Sequence, residues 1–315
     1  MSAAAPDWTL RALTPIWTGG IEGKSDRLVP TGLLGSIRWW FEVLVRGLGG
    51  AACDPSDTQG RCPDGKGRHC VVCELFGCTG WARKFRLQVL DEAGKPKAAP
   101  IQKDETFTLR FVPLRPIQPE EWALIDLTLR LIAGYGALGG KTIYKPSDEG
   151  GRQNQAHHRD YGLVELSSVP TAERKTVDRL KAYVVADGWR KLNHGNAAWS
   201  SLEHFWCVNG RYLARQNGNQ SSFNRVIGRP EPKAQAGQND SWIAGRRAGQ
   251  GHDPESKKVF SFKNPARTFG FVKPGDITLD QVKQRLASVW QNFKDAEFLG
   301  GPKILDDLLE KANHT

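Results

Sequence analysis

The sequence predicts an α+β fold whose first half is a ferredoxin-like domain and whose second half fits a degenerate second copy. Residues 8 to 166 read, in order, as strand, helix, strand, strand, helix and strand. Apolar residues alternate in the strands and recur at i, i+3 and i+4 in the helices. That order is the split βαβ arrangement of a ferredoxin-like domain.

The first strand lies in WTLRALTPIW, and the first helix lies in the segment Leu33–Gly50, LLGSIRWWFEVLVRGLGG. One helix face carries an apolar stripe that we expect to pack on a sheet: Ile37, Trp40, Phe41, Leu44 and Leu48. A second stripe, Arg38, Glu42 and Arg46, repeats every four residues and is expected to face outward. Trp39 belongs to neither stripe.

Two further strands and a second helix follow. KFRLQVL places Phe85, Leu87 and Val89 on one side, and ETFTLRFVPL does the same with Phe107, Leu109 and Phe111. The turn-like DEAGKPKAAP between them predicts a hairpin with a long loop. QPEEWALIDLTLRLIAGYG begins with proline and two glutamates, as a helix does, and YGLVEL reads as the closing strand.

The second half is less regular. TVDRLKAYVVADGWRKL reads as helix, residues 209–257 read as exposed loop, and KVFSFKNPARTFGFV reads as strand interrupted by Pro265. TLDQVKQRLASVWQNF opens with the capping-box pair Thr278 and Gln281. We therefore predict a first domain at residues 1–168, with a cysteine-rich insert near 51–80, and a divergent second domain at 169–315.

Composition narrows the class of partner. The 315 residues contain 44 Lys and Arg against 34 Asp and Glu, a net charge of +10 with a pI near 9.4. This excess favours a polyanion, with nucleic acid ahead of membrane. The N-terminus shows no secretion signal and the chain has no long apolar run, so we expect a soluble, cytoplasmic protein with no membrane contact.

Five of the six cysteines lie in CDPSDTQGRCPDGKGRHCVVCELFGC. Cys70 and Cys73 form a CxxC knuckle, and Cys53 and Cys62 supply two more thiolates, a donor set that suits structural Zn(II). The insert has few apolar residues and needs a staple to hold its shape. Reduced, unliganded cysteines are the alternative, and His69 or Cys78 could replace one ligand.

The glycine-rich GYGALGGKT does not fit a phosphate-binding P-loop. The spacing rule requires glycine at Tyr135, and the segment follows a helix instead of a strand. It reads as a turn that displays Lys141, Thr142 and Arg159 near a polyanion backbone. His157 and His158 are candidates for acid–base RNA cleavage, although paired histidines in a polar loop are more often simply solvated.

Three segments, LTPIWTGG, VPTGLLGSIRWWFEVLVRG and CVVCELFGCTGWARKFRLQV, resemble in this order the RAMP superfamily of CRISPR-associated proteins. Within it they are most similar to the first subunits of type III-B Cmr effector complexes. The resemblance implies two ferredoxin-like, RRM-related domains. It also implies a non-catalytic subunit that contacts the 3′ part of a guide RNA and the target RNA, beside other RAMP subunits.

Under this resemblance we expect a basic path with two stacking candidates: Lys24, Arg27, Arg38, Trp39, Arg46, Trp81, Arg83, Lys84, Lys141, Thr142 and Arg159. RRM-type sheets bind RNA through stacked aromatic rings and basic grooves. Two alternatives stay open at this point. One is a metal-independent endoribonuclease that processes CRISPR RNA, and the other is an architectural subunit with incidental basicity.

Overall fold

The computed structural model describes residues 5–20, 22–54, 57, 60–140, 146–153, 155–170, 175–192, 195–217, 220–229, 242–246 and 254–313. The strands are β1 Asp7–Ala12, β2 Phe85–Leu90, β3 Thr106–Pro113, β4 Val164–Ser168, β5 Phe205–Asn209, β6 Val259–Lys263, β7 Ala266–Phe271 and β8 Leu299–Gly300. The helices are α1 Pro30–Gly47, α2 Val71–Phe76, α3 Pro119–Tyr135, α4 Val177–Val185, α5 Ser222–Val226, α6 Leu279–Ala287 and α7 Gly301–Asn313.

Two four-stranded antiparallel sheets confirm the predicted fold class. The first has the order β2-β3-β1-β4 and the second has the order β6-β7-β5-β8. In each sheet the first strand of the set lies between the third and the fourth, and the second strand lies at one edge. This is the ferredoxin-like order, so the degenerate second copy expected from the C-terminal pattern is present.

Two compact units contain these sheets. The first comprises residues 1–141, 161–203 and 304–315, and the second comprises residues 142–160 and 204–303. The domain boundary predicted between residues 168 and 169 stays a prediction. The first sheet ends at Ser168 and the second begins at Phe205.

The first unit folds as its alternation predicts. Trp8, Leu10 and Ala12 of β1 are buried on the same face as Phe107, Leu109 and Phe111 of β3, and the hairpin of β2 and β3 is in register from Phe85 opposite Pro113. The apolar stripe of α1 is buried as expected. The helix begins at Pro30, three residues before the predicted start, because proline suits the first helical turn.

A close approach at Gly136 fixes how α1 meets the end of α3. A Cβ at Gly136 would lie 2.5 Å from the Trp40 ring, and the Trp40 indole Nε1 donates to the Ala137 carbonyl at 2.8 Å. Trp40 therefore needs glycine beside it. The tandem tryptophans differ in burial, since Trp40 is buried and Trp39, whose ring meets Trp40 edge to face at 4.8 Å, is half-buried.

The second unit departs from two predictions. Residues 209–257 are not simply an exposed loop, because they contain α5 and buried core residues such as Phe223 and Ile243. The helix predicted over residues 176–192 ends at Val185. The capping box is confirmed, since Gln281 N donates to Thr278 Oγ1 at 3.2 Å and Thr278 N donates to Gln281 Oε1 at 2.9 Å.

Candidate metal centre and nucleic-acid interface

Four buried cysteines converge in the insert of the first unit. The sulfurs of Cys53, Cys62, Cys70 and Cys73 all lie within 4.8 Å of one another. The Cys53 sulfur is 3.3 Å from Cys62 and 3.8 Å from both Cys70 and Cys73. A tetrahedron with Zn–S bonds of about 2.3 Å has S···S edges of about 3.8 Å. The arrangement therefore has the size of a tetrathiolate metal site.

Local backbone structure places the CxxC pair. Cys70 caps the N-terminus of α2 and Cys73 lies one turn later, so the two sulfurs lie on one side of the helix start. Cys73 N donates to Cys70 Sγ at 3.4 Å, and Cys70 N donates to Cys62 Sγ at 3.2 Å. Hydrogen bonds from N–H groups favour the thiolate form of a sulfur, which is the form that binds metals.

The thiols also interact with one another. The hydrogen bond with Cys53 lowers the pKa of Cys62, and the hydrogen bond with the same residue raises the pKa of Cys73. The two shifts run in opposite directions because the sulfurs share hydrogen bonds within one cluster. A cation that binds all four sulfurs would displace the remaining protons.

The charged stripe of α1 does not face outward, which corrects the sequence prediction. Arg38 Nη2 donates to Cys73 Sγ at 3.4 Å and Nη1 to the Gly77 carbonyl at 2.8 Å. Arg46 is 5% exposed and donates to the Cys53 carbonyl at 3.0 Å. Glu42 accepts from Arg38 at 3.1 Å and is also buried. The stripe is therefore the surface of α1 on which the insert packs.

Burial shifts the pKa values of the charged residues in this stripe of α1. Burial raises the pKa of Glu42, and Arg46 and Arg38 partly offset that rise. Burial likewise lowers the pKa of Arg46. Buried charges of this kind are tolerated when each is paired and hydrogen-bonded. Glu42 pairs with both arginines, and Arg38 also donates to the Cys73 sulfur.

Arg190 is a contact that sequence reasoning missed. Its Nη1 donates to the Gly60 carbonyl at 3.0 Å, and its backbone N donates to the His69 carbonyl at 2.9 Å. Burial lowers the pKa of Arg190, but its interactions with Cys62 and with two other nearby acidic groups together outweigh that effect and raise the pKa. No motif marks this residue, because it lies more than a hundred residues beyond the insert in sequence.

His69 and Cys78 do not replace a ligand in this arrangement. His69 stacks on the Trp81 ring with centroids 4.5 Å apart, and its Nδ1 is 3.9 Å from Glu74. Arg115 lies over the same Trp81 ring at 4.5 Å. Trp81 is 36% exposed, so a base would compete with these two neighbours for its faces.

A second feature of the first unit is a braced basic loop before α1. Thr18, fully buried, donates through Oγ1 to the Arg27 carbonyl at 3.2 Å and accepts from Val29 N at 2.9 Å. Gly20 N donates to the Lys24 carbonyl at 2.9 Å. These bonds fix the loop backbone while the Lys24 and Arg27 side chains stay exposed. Lys24 pairs with Glu22 at 3.3 Å, at the surface.

The glycine-rich loop starts beside that basic loop. Gly140 N donates to the Trp17 carbonyl at 2.9 Å, and Gly139 N donates to Ser36 Oγ at 3.0 Å. Gly139 has φ of 116°, and a Cβ there would lie 2.8 Å from the Trp17 carbonyl oxygen. Only glycine suits this position. The chain returns at Gly162, whose N donates to the Pro15 carbonyl at 2.9 Å.

The other residues predicted to contact RNA differ in their exposure to solvent. Lys84 is buried and donates to both carboxylate oxygens of Glu121, at 2.9 and 3.1 Å. Lys84 and Arg46 are therefore packing residues in this structure, and we no longer assign them to the basic path. Arg83 is half-buried and Arg159 is exposed. Lys141 and Thr142 lie outside the described residues.

The two neighbouring histidines, His157 and His158, differ in their exposure to solvent. His157 is exposed and His158 is 6% exposed, with ring centroids 4.2 Å apart. In a general acid–base pair, both groups must reach the same substrate atoms. The buried position of His158 does not favour that role.

The open face of the first sheet carries polar residues in place of stacking rings. Thr9, Arg11, Thr108 and Arg110 alternate there with the buried apolar residues of β1 and β3. Arg110 pairs with Asp7 and Arg11 with Glu165 across the strands. Within β1 to β4, every aromatic residue is on the buried face. Base stacking on this sheet, as in RRM-type binding, is therefore not supported.

Comparison with known proteins finds a family match for the first part of the chain. The model of the RAMP superfamily matches residues 9–144, which confirms the resemblance over that segment. No curated protein matches the sequence. Among the helices in the described residues, none has both the length and the apolarity for crossing a membrane.

Two similar solved structures are a type III-B Cmr-beta complex bound to cognate target RNA and Cmr1 from Pyrococcus furiosus in its apo form. The first is 10% identical with a TM-score of 0.48, covering 91% of this chain and 98% of that chain. The second is 11% identical with a TM-score of 0.46, covering 94% and 99%. At these scores the likeness carries no functional argument.

Proposed function

We propose that this chain is a non-catalytic RNA-binding subunit of a type III-B CRISPR effector complex. In that role it contacts the 3′ part of the guide RNA and the target RNA in cytoplasmic antiviral defence, beside other RAMP subunits. The observation that carries the proposal is the junction at Trp17, where a braced loop presents Lys24 and Arg27 next to the start of the glycine-rich loop. Both loops lie in or beside the RAMP match.

The chemistry of this junction suits a phosphate backbone. Exposed Lys and Arg side chains neutralise phosphates, and backbone N–H groups in glycine turns approach them closely. The net charge of +10 agrees with such a partner. The polar open face of the first sheet favours backbone contacts over base stacking, so binding should show little preference for sequence.

A binding measurement tests the proposal. We expect Lys24→Ala/Arg27→Ala to weaken the binding of a fluorescein-labelled single-stranded guide RNA by roughly tenfold and to reduce the salt slope by about one to two. Lys95→Ala/Lys181→Ala is the matched control, because both lysines are exposed in the same unit. Equal affinity of the two double variants would contradict the proposal and favour the architectural alternative.

The endoribonuclease alternative has its own test. Purified chain incubated with repeat RNA and no added metal should leave the RNA intact. Cleavage that His157→Ala abolishes would overturn the non-catalytic assignment.

We also propose that the four cysteines hold one structural Zn(II). Cys53, Cys62, Cys70 and Cys73 would supply all four ligands, which leaves no open position for catalysis. The cationic surroundings support a charged tetrathiolate over neutral thiols, since Arg38 donates to the Cys73 sulfur and Arg190 donates to the Gly60 carbonyl of the insert. Elemental analysis of protein purified without chelators should find about one zinc per chain, and a metal-free, folded insert would contradict this.

A further inference from the structure

A fifth cysteine lies beside the cluster without belonging to it. Cys78 begins a tight turn in which its N donates to the Trp81 carbonyl and Trp81 N donates to the Cys78 carbonyl, both at 3.0 Å. Cys78 is half-buried, whereas the four clustered cysteines are at most 6% exposed. Cys73 and Cys78 both line one cleft. A spare thiol therefore lies beside one member of the donor set.

A cleft connects this thiol to the cluster and to solvent. It has a volume of about 240 Å³, and its lining includes Cys53, Cys62, Cys73 and Cys78 together with Arg38 and Arg61. A structural zinc site is normally closed around its sulfurs. Here an open cleft borders both Cys73 and Cys78.

We propose that Cys73 and Cys78 form a peroxide-sensitive pair whose oxidation opens the metal site. The reactant is hydrogen peroxide or another small hydroperoxide, and the inference rests on the metal site proposed above. Metal coordination keeps Cys73 as a thiolate, the nucleophilic form of the sulfur. Arg38, which donates to the Cys73 sulfur at 3.4 Å, is placed to stabilise the hydroxide that leaves.

The reaction has two steps. The Cys73 sulfur attacks one peroxide oxygen, the O–O bond breaks, and a sulfenic acid and hydroxide form. The Cys78 thiol then attacks the sulfenic sulfur, the S–S bond forms, and water leaves with the thiol proton. The hydroxide takes a proton from solvent. Two sulfurs lose two electrons, the peroxide gains them, and two waters result.

The consequence for the insert is the loss of one of four ligands. With three thiolates left, the site holds zinc more weakly, and the zinc ion is released without any change in its own oxidation state. Arg38 loses the negative sulfur to which it donates, so the contact between the insert and α1 weakens as well. A thiol reductant and zinc together reverse the change.

The test uses the full chain loaded with zinc. Hydrogen peroxide at a few molar equivalents should release about one zinc per chain, read with a chromogenic zinc chelator, and non-reducing peptide mapping should identify a Cys73–Cys78 disulfide. In Cys78→Ala, which retains all four ligands, we expect normal zinc loading and zinc release slowed at least fivefold. Cys207→Ala, which removes a buried thiol in the second unit, is the control and should match the unmodified chain.

Two results would overturn the inference while leaving the metal site intact. One is zinc release from Cys78→Ala at the unmodified rate, and the other is a mapped disulfide between two cluster cysteines with Cys78 still a thiol. A chain that contains no zinc before oxidation contradicts the metal site itself. The zinc content of the starting protein therefore separates the two failures.

Discussion

The two sheets share one strand order and differ in what their faces carry. In the first sheet one face packs under α1 and α3 and the other is polar, with paired arginines and carboxylates. In the second sheet both faces are buried: Phe205, Phe269 and Phe271 group on one, and Trp206 and Val208 join the helical core on the other. The same topology therefore serves a sheet with one polar face and a sheet with apolar residues buried on both faces.

A second difference is how each unit stabilises its long insertion. The first unit holds residues 51–80 with clustered sulfurs and two arginines of α1. The second anchors its described insertion by apolar burial, with Phe223, Val226 and Ile243 in the core. An insertion short of apolar residues needs a covalent or metal staple, while one that contributes core residues does not.

The largest expected effect comes from breaking the staple. Cys73→Ser should cost the first unit about 3 kcal/mol or more, because a structural zinc site contributes its binding energy to folding. Hydrogen exchange read by mass spectrometry should show lost protection in β2 and α2 and unchanged protection in β6 and β7. Cys78→Ala is the control and should keep both patterns. Equal loss in both units would contradict the contrast drawn between them.

The next effect tests the buried charges under the insert. Arg46→Met removes one of the two arginines that pair with Glu42 and the donor to the Cys53 carbonyl, and we expect a loss of about 3 kcal/mol in urea denaturation. Glu42→Gln/Arg46→Met should recover part of that loss, since the variant no longer buries a carboxylate that has lost one of its two partners. Arg110→Met, on the polar sheet face, should leave the midpoint unchanged. An unchanged stability of Arg46→Met would contradict the packing role assigned to this residue.

A smaller expected effect is a dependence of the stability of the second unit on pH. Asp160 accepts from the backbone N of Lys263 and of Asn264, its Oδ1 is buried without a hydrogen-bond partner, and burial raises its pKa to about 6. Because the folded unit binds this proton more tightly than the unfolded chain, the carboxylate lowers stability above pH 6, and the deficit disappears as the pH falls toward 4.

Asp160→Asn keeps an oxygen acceptor and removes the charge. We expect it to stabilise the second unit by about 1 kcal/mol at pH 7.5 and to give no gain near pH 4, in thermal melts across that range. A gain that is independent of pH would show that the charge is not its cause.

The smallest effect concerns the capping box of α6. Thr278→Ala removes the acceptor for Gln281 N and should cost about 1 kcal/mol of stability in the second unit alone. Thr278→Ser retains the hydroxyl and should restore most of it. Hydrogen exchange read by mass spectrometry measures this loss. A loss of hydrogen-exchange protection in the first unit would contradict the division into two units.

The alternation of apolar residues predicted the first unit well. Phe85, Phe107 and Trp40 are buried where the pattern placed them, and the four cysteines grouped around the CxxC knuckle lie close together. Pattern reasoning was wrong about the charged stripe of α1, because periodicity identifies a face but not what packs on it. It also treated the stretch around Phe223 as loop, because its apolar residues are sparse in sequence and are gathered only by folding.

By itself the sequence determined the strand and helix order, the apolar faces, the concentration of cysteines in the insert and the basic charge. These follow from local spacing and composition, which act over a few residues. Only the tertiary structure decided that Arg38 and Arg46 lie under the insert, that Arg190 joins them, that Lys84 is buried, and that Gly139 meets Trp17. Each of these contacts joins segments distant in the chain, so it depends on packing that no single stretch of sequence encodes.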